Sequence, residues 1–251
     1  MNADFDAFPT LERALQSHYR GHADRDWTEW KADHFRASAD LIPDEARCAW
    51  LARDGSNYRG LGQRTALRHL VAANVDQPCL EEIGRISGLE RLELEWPFVA
   101  TDLSPLLGLD RLSHLSIDSP RKLSDFAPLL RLPALRTLLL TNARRMPGLD
   151  WLADAHQLRV IGIEGAIDTP LTINSLAPLA SLASLEAFLA VSTRLADKDL
   201  SPLALCPRLR FLDIARVAPR EAFARLHAER PDLVCRWFDP ASWTEGRLRP
   251  A

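Results

Sequence analysis

The stretch that decides the fold is residues 103–117, with the sequence LSPLLGLDRLSHLSI. Apolar residues recur at every third position from Leu103 to Leu112, and the spacing then changes to two between Leu115 and Ile117. A spacing of three is typical of a 3₁₀ or loosely helical turn, whereas a spacing of two is typical of a β-strand. The stretch therefore predicts a short turn that leads directly into a strand.

The same spacing returns along the chain with a nearly constant step. From Leu112 to Leu135, and again from Leu135 to Leu158, the step is 23 residues. Self-similarity at a period in the twenties is typical of repeat proteins, in which each unit buries its apolar face only against its neighbours. Strand segments of the form Leu-x-x-Leu-x-Leu, or a close variant, begin at Leu67, Leu89, Leu112, Leu135, Leu158, Leu185 and Leu209.

The strand motif and the segment LSPL at residues 103–106 resemble the leucine-rich repeat family of the bacterial type. The resemblance implies an α/β solenoid in which the strands form a parallel sheet on the concave side. The sequence departs from the family pattern after the strand, where an Asn is usual and only Asn74 and Asn142 stand near that place. We therefore expect other bonds to satisfy the backbone groups of this turn.

Composition and charge limit the classes of function. The chain has 251 residues, 47% of them hydrophobic and 26% charged, with a net charge of -3 and a pI near 6.2. These values are typical of a soluble globular protein and give no reason to expect a nucleic-acid partner. Residues 1–6 are acidic and unlike a secretory signal, and no run approaches the roughly 20 apolar residues of a membrane span. We therefore expect a cytoplasmic protein without a membrane partner.

The N-terminal residues follow a different pattern from the repeats. Each of three segments begins with residues that favour a helix start, and an open repeat array needs a cover for the apolar edge of its first unit. Trp27 and Trp30 favour packing of this cover against the repeats over an aromatic ligand cage. We therefore predict a helical N-terminal cap over residues 1–57, with helices at 9–20, 26–39 and 43–53.

The C-terminal residues predict a second cap. The repeats occupy residues 58–218, and a helical pattern at 219–230 follows them. An apolar segment at 233–238 then predicts a last strand. We therefore expect a C-terminal helix-strand cap and tail over residues 219–251.

Candidate catalytic chemistry is sparse. His18 and His22 lie four residues apart on the first predicted helix, a spacing that can place two imidazoles on one metal, with Asp26 and His34 as distant ligands. The alternative is two solvent-facing side chains, because the sequence lacks a His-Glu-x-x-His frame. It also lacks a glycine-rich phosphate loop. We predict no enzyme, no cofactor and no metal, and keep a metal-dependent enzyme using these histidines as the alternative.

The outward side chains of the strands are the candidate binding surface. In each Leu-x-x-Leu-x-Leu segment the apolar residues point inward, so the residues that alternate with them point outward and align across the sheet. The early strands carry acidic residues with a tryptophan beyond them, and the later strands carry apolar residues on a surface expected to be wet. The predicted partner-binding residues are Glu93, Glu95, Trp96, Asp118, Leu139, Val160, Leu189, Val191, Phe211 and Asp213.

This surface predicts a protein-binding module. The partner should be another protein that offers an apolar anchor and a basic rim. An inhibitor of a toxin or enzyme, as a bacterial immunity protein, and an adaptor are both compatible with the pattern. A self-associating structural protein is a further alternative. The N-terminal helices, the loop at 163–176 or a homodimer partner could instead cover the apolar residues.

Overall fold

A computed structural model of the protein describes residues 8–21, 26–144, 146–166 and 168–243, with only the backbone for 8–11. The chain divides into two compact units. The early unit is Asp26–Pro147, and the late unit combines Met1–Arg25 with Gly148–Ala251. The first helix therefore belongs to the same unit as the last repeats.

Two helices precede the strands. Helix α1, Phe8–Arg20, belongs to the late unit, and helix α2, Trp27–His34, belongs to the early unit. The carboxylate of Asp26 accepts hydrogen bonds from the backbone N–H groups of Thr28 and Glu29 and so caps the start of α2. Both helices are expected from the sequence, although α2 ends at His34 and not at residue 39.

The described part of the early unit contains a parallel sheet whose strands follow the chain order. Neighbouring strands keep one register, so that His69 lies opposite Arg91 and Arg91 lies opposite His114. Short 3₁₀ helices and helix α3, Gln77–Ile83, connect the strands. The strands are β1, Cys48–Ala52; β2, His69–Val75; β3, Arg91–Phe98; β4, His114–Asp118; and β5, Thr137–Thr141.

Strand β1 corrects the sequence analysis, which expects a helix at residues 43–53. Residues 48–52 pair in parallel with residues 69–73, and both Ala49 and Leu51 are fully buried. Alanine stands at Ala46 and Ala49, where later repeats have leucine, and this substitution hides the repeat motif from a search for leucine. The repeats therefore extend into the segment that the sequence assigns to the cap.

The late unit is built on the same pattern. Its strands are β6, Val160–Ile163; β7, Leu171–Ile173; β8, Ala187–Ala190; β9, Thr193–Leu195; β10, Phe211–Ile214; and β11, Val234–Cys235. Strands β6, β8, β10 and β11 pair in parallel in this order. Strands β7 and β9 pair separately, so part of the expected loop at 163–176 is a strand.

The C-terminal residues confirm one predicted element and correct the other. Helix α4, Ser201–Ala204, lies in the last repeat, and helix α5, Arg220–Glu229, matches the helix predicted at 219–230. The strand predicted at 233–238 is shorter, because β11 gives way to a 3₁₀ helix at Arg236–Phe238. There the indole N–H of Trp237 donates to the carbonyl of Ile214 at 2.7 Å, which ties the 3₁₀ helix to the end of β10.

One backbone feature replaces the family's regular Asn after the strand. The residue seven positions after the first leucine has a positive φ in four repeats, at Asn74, Ser119, Asn142 and Ser192. The Asn142 amide donates to the Asp118 carboxylate at 2.6 Å, and the Ser192 hydroxyl donates to the Ala166 carbonyl at 2.6 Å. The shared requirement is therefore a residue with a left-handed φ whose side chain can form a hydrogen bond, and not asparagine itself.

The leucine ladder forms the core of each unit. In the stretch that defines the motif, every ladder residue from Leu103 to Ile117 is buried. The inward positions of the late strands, such as Ile161 and Leu212, are likewise buried. Of the helices in the described residues, each is too short or too polar to cross a lipid bilayer.

Candidate functional site

The outward side chains of the strands form one candidate surface in each unit. The early face consists of Cys48, Trp50, His69, Val71, Arg91, Glu93, Glu95, His114, Ser116, Asp118, Thr137, Leu139 and Thr141. The late face consists of Val160, Gly162, Glu164, Ala187, Leu189, Val191, Phe211 and Asp213. Both faces contact a helix of the same chain.

Helix α2 packs on the early face through stacked rings. The Trp30 ring lies 4.5 Å from the His69 ring, centroid to centroid, with 28° between the planes. The Trp27 ring stacks on Trp30 at 5.1 Å and lies 6.3 Å from His69. The two tryptophans are three residues apart, so they lie on one side of the helix. They pack against the strands, as the sequence predicts.

A lysine of α2 joins this contact. Lys31 Nζ lies 2.5 Å from Oε1 of Glu95 and 5.5 Å from the centre of the Trp50 ring. The Trp50 indole N–H also donates to Glu95, at 3.4 Å. Glu95 is therefore engaged by α2 and β1, although it stays partly exposed.

Glu93 is buried in the early face, which corrects its predicted place among the open partner-binding residues. Arg91 Nε donates to its carboxylate at 2.7 Å, and His69 Nε2 lies 2.8 Å from the same oxygen. Burial by itself raises the pKa of Glu93, but the contacts with His69 and Arg91 outweigh burial and lower the pKa to about 2. The carboxylate is charged at neutral pH and positions the ring on which α2 stacks.

Part of the early face remains open. Trp96, at the end of β3, is 61% exposed. Asp118, at the end of the neighbouring strand β4, is partly exposed and accepts hydrogen bonds from Asn142 and Ser119. The exposed Trp96 and the partly exposed Asp118 therefore lie on neighbouring strands, and their role in partner binding stays a prediction.

Helix α1 packs on the late face through polar contacts around one ring pair. The Tyr19 and Phe211 rings are 5.7 Å apart and nearly parallel, with 13° between their planes. Gln16 donates to Asp213 at 2.7 Å. Arg20 donates to Glu164 at 2.5 Å and to Asp213 at 3.1 Å. One guanidinium group therefore bridges two carboxylates of the late face.

The periodicity of α1 explains this orientation. Glu12, Gln16 and Tyr19 recur at helical spacing and are partly buried, whereas Arg13 and His18 are exposed. Burial is the main cause that raises the pKa values of Glu12 and Tyr19. Both shifts fit a helix whose one side lies against protein.

The late face corrects the expectation of a wet apolar surface. Three of its four predicted apolar residues are buried, and only Val191 is exposed, at 38%. Asp213 is also buried, beneath Arg20 and Gln16. Of the alternatives that the sequence leaves open, cover by an N-terminal helix is the one that the Tyr19–Phe211 contact supports. The buried three are Val160 at 6%, Leu189 at 0% and Phe211 at 0% exposure, and Leu139 of the early face is also buried, at 7%.

The residues behind the metal-enzyme alternative can be placed only in part. His18 is exposed on α1, and His22 lies outside the described residues. In the ranges that the structure describes, no three His, Cys, Asp or Glu side chains are grouped as metal ligands would be. The arrangement on both faces instead serves to bind a helix, through rings and charged groups that the strands hold in place.

Sequence reasoning missed Tyr19, Arg20 and Lys31 as contact residues. The signal that could have found the residues of α1 is its one-sided pattern, in which Glu12, Gln16 and Tyr19 repeat at helical spacing. Lys31 lies on α2 and is outside this pattern. Such a pattern shows that a helix has a partner surface. It does not show which surface that is.

Comparison with known proteins supports the fold. No family model matches the chain, and no curated protein sequence matches it. An internalin (inlF) of Listeria monocytogenes is 22% identical with a TM-score of 0.50 over 66% of this chain and 47% of that chain. A leucine-rich repeat protein of Leptospira interrogans is 14% identical with a TM-score of 0.51, covering 74% of this chain and 52% of the other.

A third solved structure, the TLR13–ssRNA13 complex, is 16% identical with a TM-score of 0.52 over 70% of this chain and 26% of that chain. The present chain spans about half or less of the length of these three proteins. At such identities the likeness concerns the fold. It agrees with the repeated motif, the parallel strands in one register and the buried leucine ladder, and the chain therefore has the leucine-rich repeat fold.

Proposed function

We propose that this protein is a non-catalytic module that binds another protein on the outward faces of its strands. The observation that carries the proposal is that both faces already hold a helix of the same chain. Each helix is held by ring stacking together with an ion pair, Lys31–Glu95 on the early face and Arg20–Asp213 on the late face. Faces that bind a polypeptide in this way are suited to a protein partner.

The open part of the early face is the proposed point of first contact. Trp96 offers an exposed ring near the end of β3, and Asp118 adds negative charge at the end of the neighbouring strand β4, whereas the charge of Glu95 is paired with Lys31. Tryptophan is enriched among the residues that dominate binding energy, whereas charges at a rim act mostly on association rate. These features support a partner with an apolar anchor and a basic rim.

The charge and the repeat pattern support two cellular roles. An inhibitor of a toxin or enzyme, in the manner of a bacterial immunity protein, and an adaptor both need only such a surface. We place the protein in the cytoplasm. Size measurement in solution separates this proposal from self-association, since a stable homodimer would cover the face with a second copy.

The proposal is tested with a partner isolated by cross-linking in the native cell. Trp96→Ala should weaken binding by about 30-fold, equivalent to about 2 kcal/mol. Leu205→Ala is the matched control, because Leu205 is 66% exposed and follows α4, away from the outward strand positions. Wild-type affinity for both variants would show that the early face is not the binding site.

Two further titrations address the other classes of ligand. Because the TLR13 structure is a complex with ssRNA13, single-stranded RNA at low salt is the relevant nucleic-acid ligand. We expect no binding of RNA, because the net charge of the chain is -3 and RNA affinity depends on positive groups that neutralise the phosphates. Stoichiometric zinc in purified protein, together with a lower melting temperature after chelation, would instead favour the metal-enzyme alternative.

A further inference from the structure

Helix α1 occupies the surface that the sequence assigns to a partner. We infer that α1 is a displaceable occupant of the late face, and that an amphipathic helix of the partner, carrying an aromatic residue followed by arginine, replaces it. This inference rests on the proposed function, because it names the partner chemistry and the regulation of one of the two faces.

The carboxylates of the late face select the charge of any occupant. The side chains of Glu164 and Asp213 are 15% and 7% exposed beneath Arg20. If α1 leaves, water can solvate both carboxylates. A new segment that covers them without a cation would leave buried charges unpaired, which is strongly unfavourable. The replacing helix must therefore bring a cation, and a guanidinium group has the fork geometry that bridges two carboxylates.

The apolar part of the same face selects a ring. Phe211 is fully buried under the parallel ring of Tyr19. Leu189, opposite Asp213 in the neighbouring strand β8, is also fully buried. A flat aromatic side chain fills this place with a favourable stacked arrangement. Since Tyr19 and Arg20 are consecutive, the recognised pattern is an aromatic residue followed directly by arginine.

The contacts that hold α1 on the late face allow its displacement without unfolding of the repeats. The contacts described for α1 are made by side chains, whereas β10 is hydrogen-bonded to β8 and β11 in the sheet. Helix α1 has 13 residues, and an isolated helix of about this length is marginal in water. Its position on the late face therefore depends on those side chains, and an identical set on another chain can compete for it.

The direct test uses the full chain and a labelled synthetic peptide with the sequence of residues 8–21. In the double variant Tyr19→Ala/Arg20→Ala, the weakened α1 should no longer compete. The peptide should therefore bind the variant at least about tenfold more tightly than it binds the wild type, where α1 competes from within the same chain. A peptide with Arg20→Glu should not bind, and adding Phe211→Ala to the double variant should abolish binding of the unchanged peptide.

Equally weak binding of the peptide to the wild type and to the double variant would overturn the inference. Hydrogen exchange on the wild type decides the matter if the double variant does not fold. Amides of α1 should exchange at least about a hundredfold faster than amides of β8 and β10, because α1 opens locally. If the amides of α1 exchange only together with those of the strands, α1 is a permanent part of the fold.

Failure of this inference can be distinguished from failure of the proposed function. Loss of partner binding on Trp96→Ala concerns the early face and does not involve α1. If that loss is observed while the peptide fails to bind, the protein binds its partner with α1 in place. If the peptide binds the double variant while Trp96→Ala has no effect, the late face alone is the site.

Discussion

The early face holds α2 mainly through stacked rings, whereas the late face holds α1 mainly through hydrogen bonds and ion pairs to carboxylates. The chain after α2 also joins the sheet, since the Arg36 backbone N–H donates to the Trp50 carbonyl at 2.8 Å. The contacts described for α1 involve side chains only. Two helices on strands of the same kind can therefore differ in role, and we regard α2 as a part of the early unit and α1 as an exchangeable occupant.

A substitution in the buried leucine core should have the largest effect on the free energy of unfolding. Leu138 is an inward, fully buried residue of β5. Leu138→Ala should lower the free energy of unfolding by about 2–5 kcal/mol through lost burial and an unfilled cavity. Leu205→Ala, at an exposed position, should change it by less than about 0.5 kcal/mol. Chemical denaturation measures both losses, and a loss at Leu138 no larger than the one at Leu205 would contradict the inward position of Leu138 in β5.

The second prediction concerns the pH dependence of the early face. The pKa of Glu93 falls from 4.5 to about 2 on folding. A lowered carboxyl pKa stabilises the folded state above the unfolded value, and this stabilisation is lost as the pH falls from about 4.5 towards 2. The loss should be about 3 kcal/mol.

The variant Glu93→Gln tests this assignment. It should lack that part of the pH dependence, because the side chain no longer titrates. Glu81→Gln, at an exposed position on α3, should keep the wild-type profile. The free energy of unfolding is measured with denaturant at several pH values between 2 and 7. An unchanged profile in Glu93→Gln would mean that another carboxylate carries the effect.

The third prediction separates the two helices directly. Trp30→Ala removes the ring that stacks on His69, and it should lower the free energy of unfolding by about 2–3 kcal/mol if α2 is part of the early unit. Tyr19→Ala should lower it by less than about 1 kcal/mol, since an α1 that opens locally adds little to global stability. Similar losses for the two variants would remove the distinction between the helices.

The smallest expected effect is at the buried side of α1. Burial is the main cause that raises the pKa of Glu12, so docking of α1 disfavours the charged carboxylate. A raised carboxyl pKa gives stability below the unfolded value that is lost as the pH rises through the folded value. At neutral pH, Glu12→Gln should therefore slow hydrogen exchange of α1, because the neutral amide avoids that penalty. Arg13→Lys, at an exposed position of α1, should leave exchange unchanged, since the two residues have the same charge and similar helix propensity.

Local patterns in the sequence predict much of the fold. The leucine ladder, the strand register and the Asp26 cap of α2 all follow from residues close together in the chain. Strand β1 does not, because Ala46 and Ala49 stand in place of leucine. Alanine is compatible with a helix, and only pairing with β2 shows that these residues form a strand.

The sequence predicts the candidate site less completely than the fold. The sequence correctly places Trp96 and Val191 at exposed positions, but it predicts exposure for Leu189 and Phe211, which are fully buried. Strand alternation shows that a side chain leaves the core. It does not show whether another segment covers that side chain. For the same reason the sequence predicts Glu93 as an open partner-binding residue, although His69 and Arg91 hold it in a buried contact.

The sequence by itself therefore determined the repeat, the inward and outward positions of the strands, and the chemical character of each face. Those properties depend on the period of the chain, and a period can be read from neighbouring residues. Only the tertiary structure decided what lies on the faces, because the contact between Tyr19 and Phe211 joins residues from opposite ends of the chain. Contacts at such separation depend on the complementarity of two distant surfaces, which no local pattern records.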